Sequence, residues 1–170
     1  MQVCIMPVIV FSFLSFSSVP DINAKVKAIF LYNFSKYIEW PPEQTSGNFK
    51  IVIFGSYPAL EAELHQMARQ KTRGAQKFEI SVYDDLKEIS DCHILYIAES
   101  KNNEISKVID QFKGRSNLIV TDKEGALKKG AGINFYYEHN KQKFELSTIN
   151  LSKHQLTPSD QLKLLAKVVD

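Results

Sequence analysis

Four short apolar runs separated by helical patterns constrain this chain more than any other feature of its sequence. Phe49 to Phe54 (FKIVIF) is closed by Gly55, and Lys77 to Tyr83 alternates Phe78, Ile80 and Val82 with polar neighbours. Ile94 to Ala98 and Leu118 to Thr121 are two further β-type runs. Between them lie helical spacings: Pro58 to Arg69, with Pro58 in its first turn, and Asn103 to Phe112, with Ile105, Val108, Ile109 and Phe112 on one face. A longer helix, Lys25 to Trp40, precedes the first run. It carries Val26, Ile29, Phe30, Asn33, Phe34, Tyr37 and Ile38 at spacings of three and four, and Pro41-Pro42 ends it. Strands alternating with helices predict an α/β fold, a single three-layer domain with a largely parallel sheet and helices on both faces. Ile133 to Tyr137 and Lys143 to Ser147 flank Glu138-His139-Asn140-Lys141 and predict an antiparallel C-terminal hairpin. A last helix is expected from about Pro158, capped by Thr157 and burying Leu162, Leu165, Ala166 and Val169.

The start of the chain has a different character. Residues 1–20 carry no charged side chain, and Val3 to Phe16 is nearly unbroken apolar sequence. That is short of the roughly 20 apolar residues of a membrane-spanning helix. It predicts a signal peptide over residues 1–20, cleaved between residues 18 and 24, although the usual Lys or Arg near the start is missing. A short membrane anchor and a buried strand are the other readings of this stretch. The chain is therefore expected to be exported, with one domain over residues 25–170. Composition fits that domain: 44% hydrophobic residues exclude a disordered chain. A formal charge of +2, from 21 Lys+Arg against 19 Asp+Glu, is too small to imply nucleic-acid binding. Without the leader only Cys92 remains, so no internal disulfide can form.

Chemistry in a parallel sheet is expected beyond the carboxyl ends of its strands. The candidates there are Gly55, Ser56, Ser100 and Asp122. Gly55-Ser56 either presents backbone N–H groups to an anion or forms a tight strand-to-helix turn. Asp122 either binds a ligand amine or caps a turn starting at Lys123. Lys129-Gly130-Ala131-Gly132 precedes a strand and lacks the Gly-Lys-Ser/Thr ending, so it reads as a turn rather than a phosphate loop. His65, His93, His139 and His154 stand at no ligand spacing, and Cys92 and His93 are adjacent on a strand and point to opposite faces. No metal, no cofactor and no catalytic residue is expected, and Cys92 reads as a small core residue. On the first helix, Phe30, Phe34 and Tyr37 share a core face. Tyr32 and Trp40 lie off it, either exposed for a partner or packed on a second face.

Taken in order, these segments resemble the YfiR-like family of bacterial periplasmic proteins. The distinctive motif is the first helix, from Val26-Lys27-Ala28-Ile29-Phe30 to Ile38-Glu39-Trp40-Pro41. After it come Ile51-Val52-Ile53-Phe54-Gly55, Arg73-Gly74, Cys92-His93-Ile94-Leu95-Tyr96-Ile97, Val120-Thr121-Asp122, Gly132-Ile133-Asn134-Phe135 and Gln161-Leu162-Lys163-Leu164-Leu165-Ala166. The resemblance implies a non-enzymatic regulator that is often a homodimer. Such a protein binds a membrane-anchored sensor protein, a diguanylate cyclase or histidine kinase, and restrains it, with a possible outer-membrane partner sequestering the repressor. Cys92 matches a cysteine that pairs with another in some members, a partner this domain lacks. The alternative is a periplasmic small-molecule binding module with its ligand in the strand-end crevice.

Overall fold

The structure is a computed structural model that describes residues 21–170, so the expected leader lies outside the described residues. Helix α1 (Ile22–Tyr37) leads into the two-residue strand β1 (Ile38–Glu39), then β2 (Phe49–Phe54) and α2 (Pro58–Gln70). A tight antiparallel pair follows, β3 (Thr72–Arg73) with β4 (Gln76–Tyr83), and then β5 (Ile94–Ile97), α3 (Ile105–Gln111) and β6 (Leu118–Thr121). The short α4 (Ala126–Lys129) leads to the hairpin β7 (Ile133–Glu138) and β8 (Lys141–Leu146). Helix α5 (Thr148–Lys153), β9 (Thr157–Pro158), α6 (Asp160–Leu165) and β10 (Lys167–Val168) complete the domain.

Eight strands form one sheet in the order β10-β8-β7-β6-β5-β2-β4-β3. The five central strands, β4-β2-β5-β6-β7, are mutually parallel, and β8 returns antiparallel beside β7. From β2 the chain passes first to β4 on one side and then to β5 on the other. The gap between β2 and β5 is thus where the winding reverses, the place such sheets use for ligands.

Alternation along the strands builds two cores. Ile51 and Ile53 face α1 and α2 with Tyr96, Val120 and Phe135, whereas Val52 and Phe54 face α3 and α4 with Leu95, Ile97 and Ile119. The three layers expected from the sequence are therefore present. Helix α1 is fixed at its start by Asp21, whose carboxylate accepts the N–H groups of Asn23 and Ala24 at 3.0 and 3.1 Å. Its end differs from the expected Trp40. Ile38 and Glu39 leave the helix to pair antiparallel with Pro158 and Thr157, and Ser159 N–H donates to Tyr37 O. That pairing also corrects the last helix. Thr157 and Pro158 are extended, and the cap of α6 is Ser159, whose hydroxyl accepts Leu162 N–H. Leu162 is buried as expected, but Leu165 is 67% exposed. The hairpin turn consists of His139 and Asn140, both left-handed at φ 50° and 58°, the two-residue geometry that matches strand twist.

Candidate functional site

The parallel strands end in a polar crevice of about 690 Å³, adjoined by a smaller recess of about 270 Å³. Both are lined by Lys27, Glu99 and Asp122. Helix α1 supplies Lys27, which is 6% exposed although it carries a charge. The turn after β2 supplies Ser56 and Tyr57, β5 supplies Tyr96, and the residue following β6 is Asp122. The outer wall is the β7–β8 hairpin, with Asn134, Tyr136, Tyr137, Gln142 and Glu145.

At its centre, Lys27 Nζ meets Asp122 Oδ2 at 2.6 Å, and the Tyr96 hydroxyl donates to the same oxygen at 2.5 Å. Lys27 also lies over two aromatic faces, 5.2 Å from the ring centre of Tyr57 and 5.9 Å from that of Tyr96. Burial, then the Asp122 charge beside it, pushes the Tyr96 phenol far above its ordinary range, so it stays protonated and donates. Tyr57 donates to Asp21 at 3.0 Å, and burial followed by that hydrogen bond raises its phenol as well. Burial works to raise Asp21, but the N–H of Ala24, the Tyr57 hydroxyl and the N–H of Asn23 together hold it below the usual carboxylate value. The Asp21 carboxylate that starts α1 is thereby tied to the strand-end crevice.

Asp122 therefore corrects one of the two readings open to it. No turn N–H donates to its carboxylate among the described hydrogen bonds; its role is the ion pair with Lys27 across 95 positions of sequence. Gly55 sits at φ +95°, and a Cβ there would come within 2.7 Å of Lys101 Cγ and 2.8 Å of Ser100 Oγ. It is a packed strand-to-helix turn, not an open anion cradle. Ser56 borders the smaller recess, whereas Ser100 is exposed, covers Gly55 and lies outside the crevice lining. Sequence reasoning missed Lys27, Tyr57 and Tyr96. The signal for Lys27 was present, because it shares a helix face with Ala24, Leu31 and Phe34, where a charge needs a partner.

The aromatic pair is corrected in one member. Trp40 is 7% exposed, stacked edge-on against Phe49 and His93, and offers no outer surface. Tyr32 is half-buried against Phe78 at the border of a groove between α1 and α2. Beneath them His93 Nδ1 accepts Lys50 N–H at 3.0 Å, so Nε2 carries the proton toward Gln44 O at 2.9 Å. Burial lowers the pKa of this imidazole. Cys92 is fully buried, and burial pushes its thiol up to about 12. Among the described residues no three His, Cys, Asp or Glu side chains stand close enough to hold a metal ion. No helix among them is long and apolar enough to cross a membrane.

Fold and site together define a doubly wound α/β domain with a polar crevice at its strand ends and a buried Lys–Asp pair in it. Residues 24–167 match the YfiR/HmsC-like family model, and the chain belongs to that family. The family is a regulatory, non-catalytic and periplasmic one. No curated protein matches the chain.

Proposed function

We propose that this protein is a periplasmic regulator that binds the sensor region of an inner-membrane diguanylate cyclase and restrains its output. The observation that carries this reading is the family match, which spans residues 24–167 and so covers nearly all of the described domain. The protein reaches the periplasm through a cleaved leader over residues 1–20. Restraint is a matter of differential affinity: the regulator must bind the silent conformation of the receptor more tightly than the active one. Its contact surface lies along α1 near Tyr32, where Ile29 is 52% exposed beside the α1–α2 groove. The working form is a homodimer, and an outer-membrane partner relieves restraint by taking up the repressor.

Deleting the gene should raise cellular cyclic-di-GMP, and the tagged protein should retrieve a membrane cyclase from detergent extracts. Unchanged cyclic-di-GMP together with no membrane partner would sink the proposal. Retrieval of a histidine kinase instead would move the same restraint to a different receptor. Charge reversal at Lys25 or Glu63, which border the same groove, should weaken capture without unfolding the domain.

A further inference from the structure

We infer that two copies of this chain join through the outer edge of β4, strand against strand, so that their sheets run on as one. The inference rests on the homodimer named above and says where its two copies meet. Tyr83 O accepts Gly55 N–H at 2.8 Å, so Tyr83 turns its backbone groups toward β2. The alternation of a strand then turns those of Ile80 and Val82 the other way. On that side β3 covers β4 only at Gln76 and Lys77. Beyond it, the N–H and C=O groups of Ile80 and Val82 have no hydrogen-bond partner among the described residues. Their side chains are half-buried against the core beneath α2. Open edges normally carry a guard: a lysine, a proline, a bulge or a very short strand. Strand β10, at the far end of the sheet, is two residues long and includes Lys167. From Phe78 to Tyr83 the edge of β4 has no proline, glycine or lysine, and Glu79 is its single charge. Such an edge is a template for another strand.

What selects a second copy is the strand's fit to itself. Two identical strands related by a two-fold axis pair antiparallel, and the residue on the axis meets its own counterpart. With Ser81 on the axis, Ile80 of each copy stands opposite Val82 of the other, and each such pair exchanges two N–H···O=C bonds. Every free backbone group of Ile80 and Val82 is then used. On the α2 face the opposed side chains are β-branched and apolar. On the other face Ser81 meets Ser81, and Glu79 meets Tyr83, whose hydroxyl can donate to the carboxylate. No like charges meet. An axis at Ile80 would drive Tyr83 of the second copy onto Lys77, where β3 already lies. An axis at Val82 would set Ile80 against Asp84, past the end of the strand. The register centred on Ser81 fills the edge without either fault.

The test is the molar mass of the purified protein by light scattering, joined to cross-linking across the axis. At micromolar concentration the native protein should have twice the mass of one chain. Val82→Pro removes one outward N–H and leaves the ladder to β2 intact, so it should be a monomer with native circular dichroism. Ser81→Cys should form a disulfide between copies on mild oxidation with diamide, about tenfold or more faster than Glu79→Cys, whose counterpart lies out of reach in this register. Cys92 is buried and does not compete. If Val82→Pro does not fold, the two cysteine variants alone decide. A dimer that Val82→Pro leaves intact overturns the inference, as does equal cross-linking of Ser81→Cys and Glu79→Cys; in both cases the homodimer stands and only this interface is lost. A native protein that is monomeric overturns both the interface and the homodimer.

Discussion

Lys27 and Asp122 form the most consequential side-chain pair in the domain, since one is almost wholly buried and the other retains 25% exposure. Removing one member of such a pair leaves the other charge in a poor solvent. Lys27→Met should therefore destabilise the fold by about 2–3 kcal/mol, read from urea unfolding. The double variant K27M/D122L should lose less than the sum of the single changes, because no stranded charge remains. His93 carries the pH dependence at this scale. Its folded imidazole titrates below the ordinary 6.5, so the unfolded chain binds more protons between the two values and stability rises with pH there. That contribution is complete above 6.5 and is lost as pH falls toward the folded value. A second proton would sit on Nδ1, facing the Lys50 N–H that it now accepts. Thermal midpoints between about pH 7.5 and pH 5.5 should fall more steeply in the native protein than in H93Q.

Among the elements, α1 depends on the residue that precedes it. Asp21 closes its first turn and holds Tyr57, and Ala24 behind it is fully buried. Asp21→Ala should cost about 1 kcal/mol or somewhat more, since the loss of Tyr57's partner adds to the loss of the cap. A chain beginning at Lys25 should melt below one beginning at Asp21, a difference that thermal unfolding of the two chains would read directly. The hairpin offers a gain instead. His139 and Asn140 hold left-handed backbones that glycine adopts freely, so Asn140→Gly should stabilise by some tenths of a kcal/mol. At this scale the sequence was a partial guide. The apolar runs of β2, β5 and β6 were plain because both faces of those strands are buried and leave no polar gaps. Helix α5 escaped notice because it is only six residues long, and strands β1 and β9 because each has two residues and is defined by its pairing with the other, Ile38-Glu39 against Thr157-Pro158.

For the whole molecule, the winding of the sheet was legible and the composition of its crevice was not. Asp122 stood out in the sequence as a strand-end residue, but its meaning depends on Lys27, 95 positions away, and on Tyr96 within an otherwise apolar strand. Only the packing of α1 against the sheet brings those three together. Trp40 shows the converse: off the helical stripe by spacing, it turned inward because the chain had already left the helix at Ile38. The buried thiol of Cys92 has a use at this same scale. In a chain beginning at Asp21 it is the sole cysteine. It is enclosed between β5 and α3, and its burial raises its pKa to about 12, so a thiol reagent in neutral buffer finds almost no thiolate and no path to it. Alkylation must wait for the domain to open. When reclosing outpaces the reagent, the labelling rate reports the equilibrium between closed and open forms; when the reagent is fast, it reports the opening rate itself. One cysteine thus lets the stability of this protein be followed at trace concentration, in a cell extract, by the mass of a single adduct.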